Sequence, residues 1–447
     1  GMIVCNFLYI CLLFYEKEEE GGYRFADKSR GIMDSEFVFW IIIIFLSADF
    51  IIEKVLDALN IRDMSPCLPE KLKGIYDEKE YERFQNYKRE THRFNRVSSA
   101  FSFIVLIIFF SAGGFGWYNA WVVGITDKIL LQTLLFMLGL AVVSTLLEMP
   151  FDWYATFRIE EKYGFNKMTG KTWGWDALKG FFLSLLIGGI ILTAVVEVYR
   201  GTGTYFWYYA WGIISFFSLF MALFYSRLIV PLFNKQIPLE AGSLRDKIEN
   251  FARRTGFKLK NIYVIDGSKR STKANAYFTG FGPEKRVVLY DTLIKELTEE
   301  EIVAVLAHEI GHYRKHHTVQ FMLASILQTG IMLWLFSLLV NEPALSEALG
   351  GERVYFQLGL VAFVLLYTPV SMLIGLFMNA WSRKNEYEAD AFAVGQGVAK
   401  DLISGLKKIS VKALSNLTPH PWYEFVYYSH PSLLKRIAAI ERRSSSG

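Results

Sequence analysis

The stretch that decides the reading of this chain is TEEEIVAVLAHEIGHYRKHH, residues 298–317. Thr298, with Glu301 three residues on, predicts a capping box, and the run behind it predicts a helix. On that helix His308 and His312 are four apart and share a face, so both imidazoles can reach one metal ion. Glu309 projects about 100° round the helix from His308. Its carboxylate sits beside the metal rather than on it, where it can take a proton from water. Two nitrogen ligands, a base and an open coordination position make a hydrolytic zinc site, so Zn2+ is the expected cofactor.

The residues after this stretch are apolar for a long way. Residues 318–340 can cross about 30 Å of hydrocarbon as a helix, and six other segments can too, near 37–57, 97–115, 129–149, 180–198, 205–230 and 355–380. Composition agrees, with 52% hydrophobic residues, 16% aromatics and a mean hydropathy of +0.25. The chain therefore divides into an N-terminal extension (1–36), five spans with their loops (37–233), a soluble catalytic segment (234–317), two further spans (318–380) and a C-terminal segment (381–447).

Lysine and arginine set the orientation. Loop 58–96 carries nine of them (Arg62, Lys71, Lys73, Lys79, Arg83, Lys88, Arg89, Arg93 and Arg96), and loop 150–179 carries five (Arg158, Lys162, Lys167, Lys171 and Lys179). The alternate loops 116–128, 199–204 and 341–354 hold one each: Lys128, Arg200 and Arg353. The basic loops, the H-E-x-x-H stretch and the C-terminal segment fall on one side, which should be cytoplasmic. The net charge of +4 is small and follows from topology, so no nucleic-acid partner is implied. Three cysteines, Cys5, Cys11 and Cys67, have neither metal nor redox spacing. Asp49, Glu53, Glu148 and Glu197 interrupt the apolar segments, and Asp49 is deepest. Ionisable groups at such depth face water or a partner.

Inside 234–317, residues 243–255 read as an amphipathic helix closed by Gly256. Alternating runs at 261–265, 274–281 and 286–290 read as a small antiparallel sheet. An edge strand next to a metal helix can pair with an extended peptide and present its scissile bond. A third ligand is still needed. Glu386 and Asp390 are four apart on one predicted helix face, so one can bind the metal while the other holds a ligating histidine. By spacing alone Glu388 is a rival. His316, His317, His92 and His420 are read as non-ligands.

With these motifs the chain resembles the integral-membrane CAAX prenyl protease type 1 family of zinc metalloproteases. The likeness runs from about residue 35 to 442. It rests on H-E-x-x-H, the stretch from Arg270-Ser271 to Phe278, the block from Ser382-Arg383 to Phe392, and Ser429-His430-Pro431-Ser432-Leu433-Leu434. It implies Glu386 as third ligand, Asp390 as its supporting partner, and Asn275 and His430 lining the substrate site. A donor at His430 could stabilise an oxyanion. Arg436 resembles a family arginine near the site, though a solvated helix face explains it nearly as well. The implied fold is an all-α membrane protein, seven helices around a large internal chamber, with a small soluble α+β zincin-like insertion carrying the zinc helix.

The implied function is a zinc endopeptidase in a lipid bilayer, with a peptide or protein substrate that is lipid-modified or membrane-associated. The site should face the cytoplasm, from the inner membrane of a prokaryote or the endoplasmic reticulum of a eukaryote. Lys273 stands where eukaryotic members often carry His, and no long insertion interrupts 234–317. Both features point to a prokaryotic-type member and make prenylated peptides a less expected substrate. A quality-control metalloprotease of the related heat-shock family shares the motifs. A site-2-type intramembrane protease would need the motif inside a span, but here it precedes one. A transporter or scaffold with a structural metal would need a closed four-ligand site, and three ligands are evident.

Overall fold

The computed structural model describes residues 34–445 except 65–66, 69, 71–72, 75–76, 258, 274 and 280–285. Most of the expected N-terminal extension (1–33), with Cys5 and Cys11, lies outside the described residues. So do Ala274 and residues 280–281 of the expected second strand.

The long helices start at side chains that cap them. Asp34 Oδ1 accepts from the Glu36 N–H at 3.0 Å and opens α1, Ser35–Arg62. Asp77 does the same for Glu80 at 2.7 Å and opens α2, Glu78–Ser111. A short α3, Gly114–Ile125, follows, then α4, Ile129–Tyr154, which winds on as a π-helical turn over Ala155–Glu160. Next come α5, Gly170–Thr202, and α6, Phe206–Leu228, then a single-turn α7, Val230–Phe233. Six described stretches are long and apolar enough to cross a membrane. One of them, Gly170–Phe233, has 64 residues and reverses at Gly203 (φ 58), so α5 and α6 return side by side as two legs. The remaining crossings are α11, His317–Leu339, and α13, Phe356–Gly395. Seven passes result, as expected.

The expected boundaries fall short in two places. Helix α2 begins well before its apolar run, and α13 does not stop at 380 but continues unbroken through Glu386 and Asp390. The charged residues there are good helix formers, and no Gly or Pro occurs before Gly395.

Packing is concentrated at one end of the spans. Val38, Ile42, Phe115, Val122, Phe136, Val196, Phe206, Phe336 and Phe356 form a tight cluster there. It closes over Leu345 and Leu349 from the lid helix α12, Pro343–Ala348, and the turn behind it. Elsewhere the wall is thin: only 6–28% of each crossing's most apolar window is buried. Asp49, mid-span in α1, is exposed and has no hydrogen-bond or ion-pair partner among the described residues, while Glu53 pairs with Lys54 at 2.8 Å. A ring of helices one layer thick around a wet interior accounts for both observations.

The soluble segment builds a four-stranded sheet from β1 (Gln236–Pro238), β2 (Asn261–Ile265), β3 (Ala276–Thr279) and β4 (Arg286–Tyr290), in the order β1-β2-β4-β3. The expectation of three antiparallel strands needs correction. β3 hairpins back into β4, which inserts beside β2 and runs parallel to it, with Ile262 opposite Val287. Side-chain alternation reports burial and not strand direction, and β1, three residues ending on Pro238, is too short to show a period. Helix α8, Ser243–Arg254, covers one face, and Gly256 follows it at φ 62 as expected. After the short α9, Asp291–Glu296, helix α10, Glu299–Arg314, packs Ile302 and Leu306 against Ile248, Ile262, Val287 and Leu289. The chain ends in α14 (Ala399–Lys412), α15 (Pro421–Tyr427) and α16 (Leu433–Ser445).

Candidate metal centre

Helix α10 carries the H-E-x-x-H stretch and is fixed at both ends. Thr298 and Glu301 make the expected capping box, with Thr298 N–H donating to Glu301 Oε2 at 2.8 Å. The same carboxylate accepts from Ser404 and Lys408 on α14 at 2.6 and 2.8 Å. At the other end His316 adopts φ 58, and this left-handed residue breaks the chain between α10 and α11. Gly311 lets α10 touch α13. A Cβ there would lie 2.9 Å from Ala389 Cα and 3.0 Å from Ala389 O, so only glycine fits.

That contact brings three ligand atoms together. His308 Nε2 is 3.2 Å from His312 Nε2, Glu386 Oε2 is 3.4 Å from His308 Nε2, and Glu386 Oε1 is 3.1 Å from His312 Nε2. Tetrahedral bonds of 2.0–2.1 Å give ligand–ligand edges of about 3.3 Å. The three residues form a group able to hold a metal ion.

The outer nitrogens explain why a cation fits. His308 Nδ1 lies 2.8 Å from Asp390 Oδ1 and donates to it. His312 Nδ1 lies 3.0 Å from His317 Nδ1, whose Nε2 is 3.3 Å from Glu388 Oε2. If His317 donates to Glu388, its Nδ1 accepts from His312. Both ligand nitrogens then face each other as bare lone pairs. Glu386 Oε2, buried beside them, has only the Arg436 guanidinium near it on its other side, at 3.2 Å. Such a convergence of acceptors is unfavourable without positive charge between them.

Arg436, on α16, is buried, so the solvated-face reading of it fails. Its Nε and Nη2 donate to Asp390 Oδ2 and Oδ1 at 2.9 and 2.6 Å, and its Nη1 lies 3.2 Å from Glu386. Burial and Arg436 push the His308 imidazole down, but the carboxylates of Asp390 and Glu386 outweigh them and hold it up at about 9, so that a proton occupies the site until a metal ion replaces it. Glu309 lies off the ligand cluster. Burial pushes its carboxyl up, against the pull of His308 and His312. A carboxylate whose pKa is raised by burial is a stronger base for proton transfer.

The structure places the other candidates as follows. His430 Nε2 is 3.3 Å from Glu386 Oε1, yet the side chain is 62% exposed, so it borders open space next to the ligands. Its loop is held by Glu424, which accepts from Ser432 N–H and Lys435, and by Arg383, which donates to the Tyr428 carbonyl. Asn275 is exposed ahead of the edge strand β3. Its Oδ1 accepts from Ala276 N–H at 2.9 Å, and no hydrogen bond joins it to the ligand cluster among the described residues. Glu388 faces His317 and not the cluster, so spacing alone misread it as a rival ligand. The sequence reading set His317 aside as a non-ligand and left Arg436 open between a site residue and a solvated face; the support each gives the centre was not legible there. The turn at His316 hides the helical phase between His312 and His317, and α16 is remote in sequence.

Comparison with known proteins agrees with this architecture. Residues 57–235 match the family described as CAAX prenyl protease N-terminal, five membrane helices, and residues 238–444 match peptidase family M48. A CAAX prenyl protease 1 homolog of Oryza sativa is 36% identical over 90% of this chain and 97% of its own length. CAAX prenyl protease 1 of Saccharomyces cerevisiae is 32% identical over 92% and 97%. The crystal structure of S. mikatae Ste24p is 33% identical, covers 90% of this chain and 99% of that one, and superposes with a TM-score of 0.86. The chain belongs to this family of M48 peptidases and is a multi-pass membrane metalloprotease. The heat-shock alternative is not favoured. Near-complete coverage of plant and yeast relatives also removes the argument from length for a prokaryotic-type member.

Proposed function

We propose that the chain is a zinc endopeptidase that trims CAAX-type, prenylated peptides at the cytoplasmic face of a membrane. The observation that carries the chemistry is the near-tetrahedral convergence of His308 Nε2, His312 Nε2 and a Glu386 carboxylate oxygen. Bound there, zinc would supply Lewis acidity towards the attacking water and the scissile carbonyl.

The remaining work falls to side chains. Glu309 takes a proton from the attacking water and returns it to the leaving amine. Asp390 holds His308 in the tautomer that leaves Nε2 free, and Arg436 keeps Asp390 ionised and in place. His430, open to the space beside Glu386, donates to the developing oxyanion. An extended substrate pairs with the free edge of β3, and Asn275 marks where that edge begins. The relatives' names support the prenylated substrate, and the lysine and arginine distribution supports the cytoplasmic side.

Purified wild type and Glu309→Gln are assayed on matched peptides with and without a prenyl group, with and without a chelator. Cleavage of the prenylated peptide by wild type alone, abolished by the chelator, with stoichiometric zinc in both proteins, is expected. Turnover by Glu309→Gln at the wild-type rate would remove the base, and equal cleavage of both peptides would remove the lipid requirement.

A further inference from the structure

Away from the metal centre, two grooves meet between α2 and the π-turn end of α4. One, of about 800 Å³, is lined by Lys79, Arg83, Arg89, Arg93 and Lys162 with Glu82 and Glu90. The other, of about 480 Å³, shares Glu90 and Arg93 and continues over Phe94, Val97, Pro150, Phe151 and Tyr154.

The sequence of α2 makes this happen. Lys79, Arg83, Asn86, Glu90, Arg93 and Val97 recur every three or four residues and so form one stripe down the helix. The stripe turns from basic to apolar at the depth where the apolar run begins. Phe94 floors the apolar part, stacked on Tyr154 at 5.2 Å and tilted against Phe151 at 6.1 Å. Tyr154, exposed on the facing wall, and its exposed neighbour Trp153 are residues of the kind that mark a membrane interface.

The charges do not cancel within the groove. Glu90 is taken by Lys162 at 2.6 Å and by the Tyr163 hydroxyl at 2.9 Å, while Arg83 holds the Tyr163 carbonyl. Glu82 remains as a carboxylate on the rim. Arg89 donates only to the neutral Gln85, at 3.0 Å, and Lys79 and Arg93 make no hydrogen bond or ion pair among the described residues. Three cations therefore surround a space that opens directly onto an apolar trough.

We infer that this paired groove binds an anionic phospholipid, its head group among Lys79, Arg89 and Arg93 and an acyl chain along Phe94, Val97, Pro150 and Phe151. Basic pockets between spans on the positively charged side suit such head groups. The joined apolar wall favours a lipid over a free phosphate, which needs only the basic part.

The full chain is reconstituted in phosphatidylcholine nanodiscs with and without phosphatidylserine, then released and examined by native mass spectrometry for retained lipid. Wild type should keep phosphatidylserine in preference to phosphatidylcholine. Each lost charge should cost about fivefold, so the triple variant Lys79→Gln, Arg89→Gln, Arg93→Gln should lose on the order of a hundredfold in preference. Its peptidase activity in detergent, which involves none of these residues, reports that it has folded. Neutralising Lys167, Lys171 and Lys269 instead should leave retention unchanged, and equal losses in both triples would overturn the groove. Retention in the first triple equal to wild type would overturn it too. Displacement of the lipid by inorganic phosphate, or equal binding of chain-free glycerophosphoserine, would assign the site to a free anion and refute the lipid.

Discussion

Gly311→Ala tests how the metal centre is assembled. The added methyl would stand 2.9 Å from Ala389 Cα, 3.0 Å from Ala389 O and 3.1 Å from Phe392 Cβ. Ordinary carbon–carbon contact is about 3.5–4.0 Å, so α10 and α13 must separate by roughly 0.5 Å or more. The nearest atoms are backbone and cannot swing aside. Metal sites tolerate about 0.2 Å in ligand distance. The displacement acts directly on the 3.1–3.4 Å separations between the histidines and Glu386. Overpacking of this kind costs about 1–3 kcal/mol, which corresponds to about 5–150-fold in zinc affinity if the bound geometry carries the strain. The assay is chelator competition for zinc on the purified protein, with thermal unfolding at saturating zinc alongside. Gly405→Ala is the control, because its Cβ would meet nothing nearer than Glu301 Cβ at 3.5 Å. That variant should bind zinc as wild type does and be neutral or slightly more stable. Ala389→Gly should not rescue Gly311→Ala, since the clashing atoms remain. Wild-type zinc affinity in Gly311→Ala would refute the claim that helix contact sets the ligand spacing.

Three further expectations can be checked on the same protein. Glu386→Ala should lose zinc outright, Asp390→Ala should weaken it by roughly 10–100-fold, and Glu388→Ala should do less than either; elemental analysis ranks them, and zinc loss confined to Glu388→Ala would reverse the assignment. His317→Ala should also lower zinc affinity by roughly 10–100-fold while leaving the fold intact, and unchanged affinity would mean that the His312–His317 contact is incidental. A cysteine placed in 341–354 should react with an impermeant thiol reagent from the non-cytoplasmic side, and one placed in 266–272 should not; the reverse pattern would invert the topology.

The readable parts of this chain are those where local chemistry is decisive. Apolar length predicted the seven crossings because a helix in hydrocarbon has few alternatives. The capping box at Thr298 and Glu301 and the i, i+4 histidines were legible because helical periodicity fixes both. Strand direction was not, since alternation is the same in parallel and antiparallel sheets. Arg436 was obscured because its burial depends on α16 folding back over α13, which no local pattern announces. His317 was hidden by one left-handed residue, His316, which resets the helical phase.

The distribution of the centre along the chain also explains why this peptidase is built into a membrane. His308 and His312 stand on α10, which leads into the crossing α11, and Glu386 stands on α13, which is itself a crossing. The spans themselves pack tightly at their far end, around Phe206, Phe336 and Leu345, while at the metal end α10 and α13 are joined through Ala304, Ala307, Ile310 and Ala393 and through Arg436. A metal joining α10 to α13 would thus tie together the two elements that carry the ligands, one of them a crossing and the other leading into one. Metal binding and the joining of these two elements then share one free energy, as in other proteins whose ligands come together only on folding. The open interior required for a peptide can be kept because the helices need not pack through their full length.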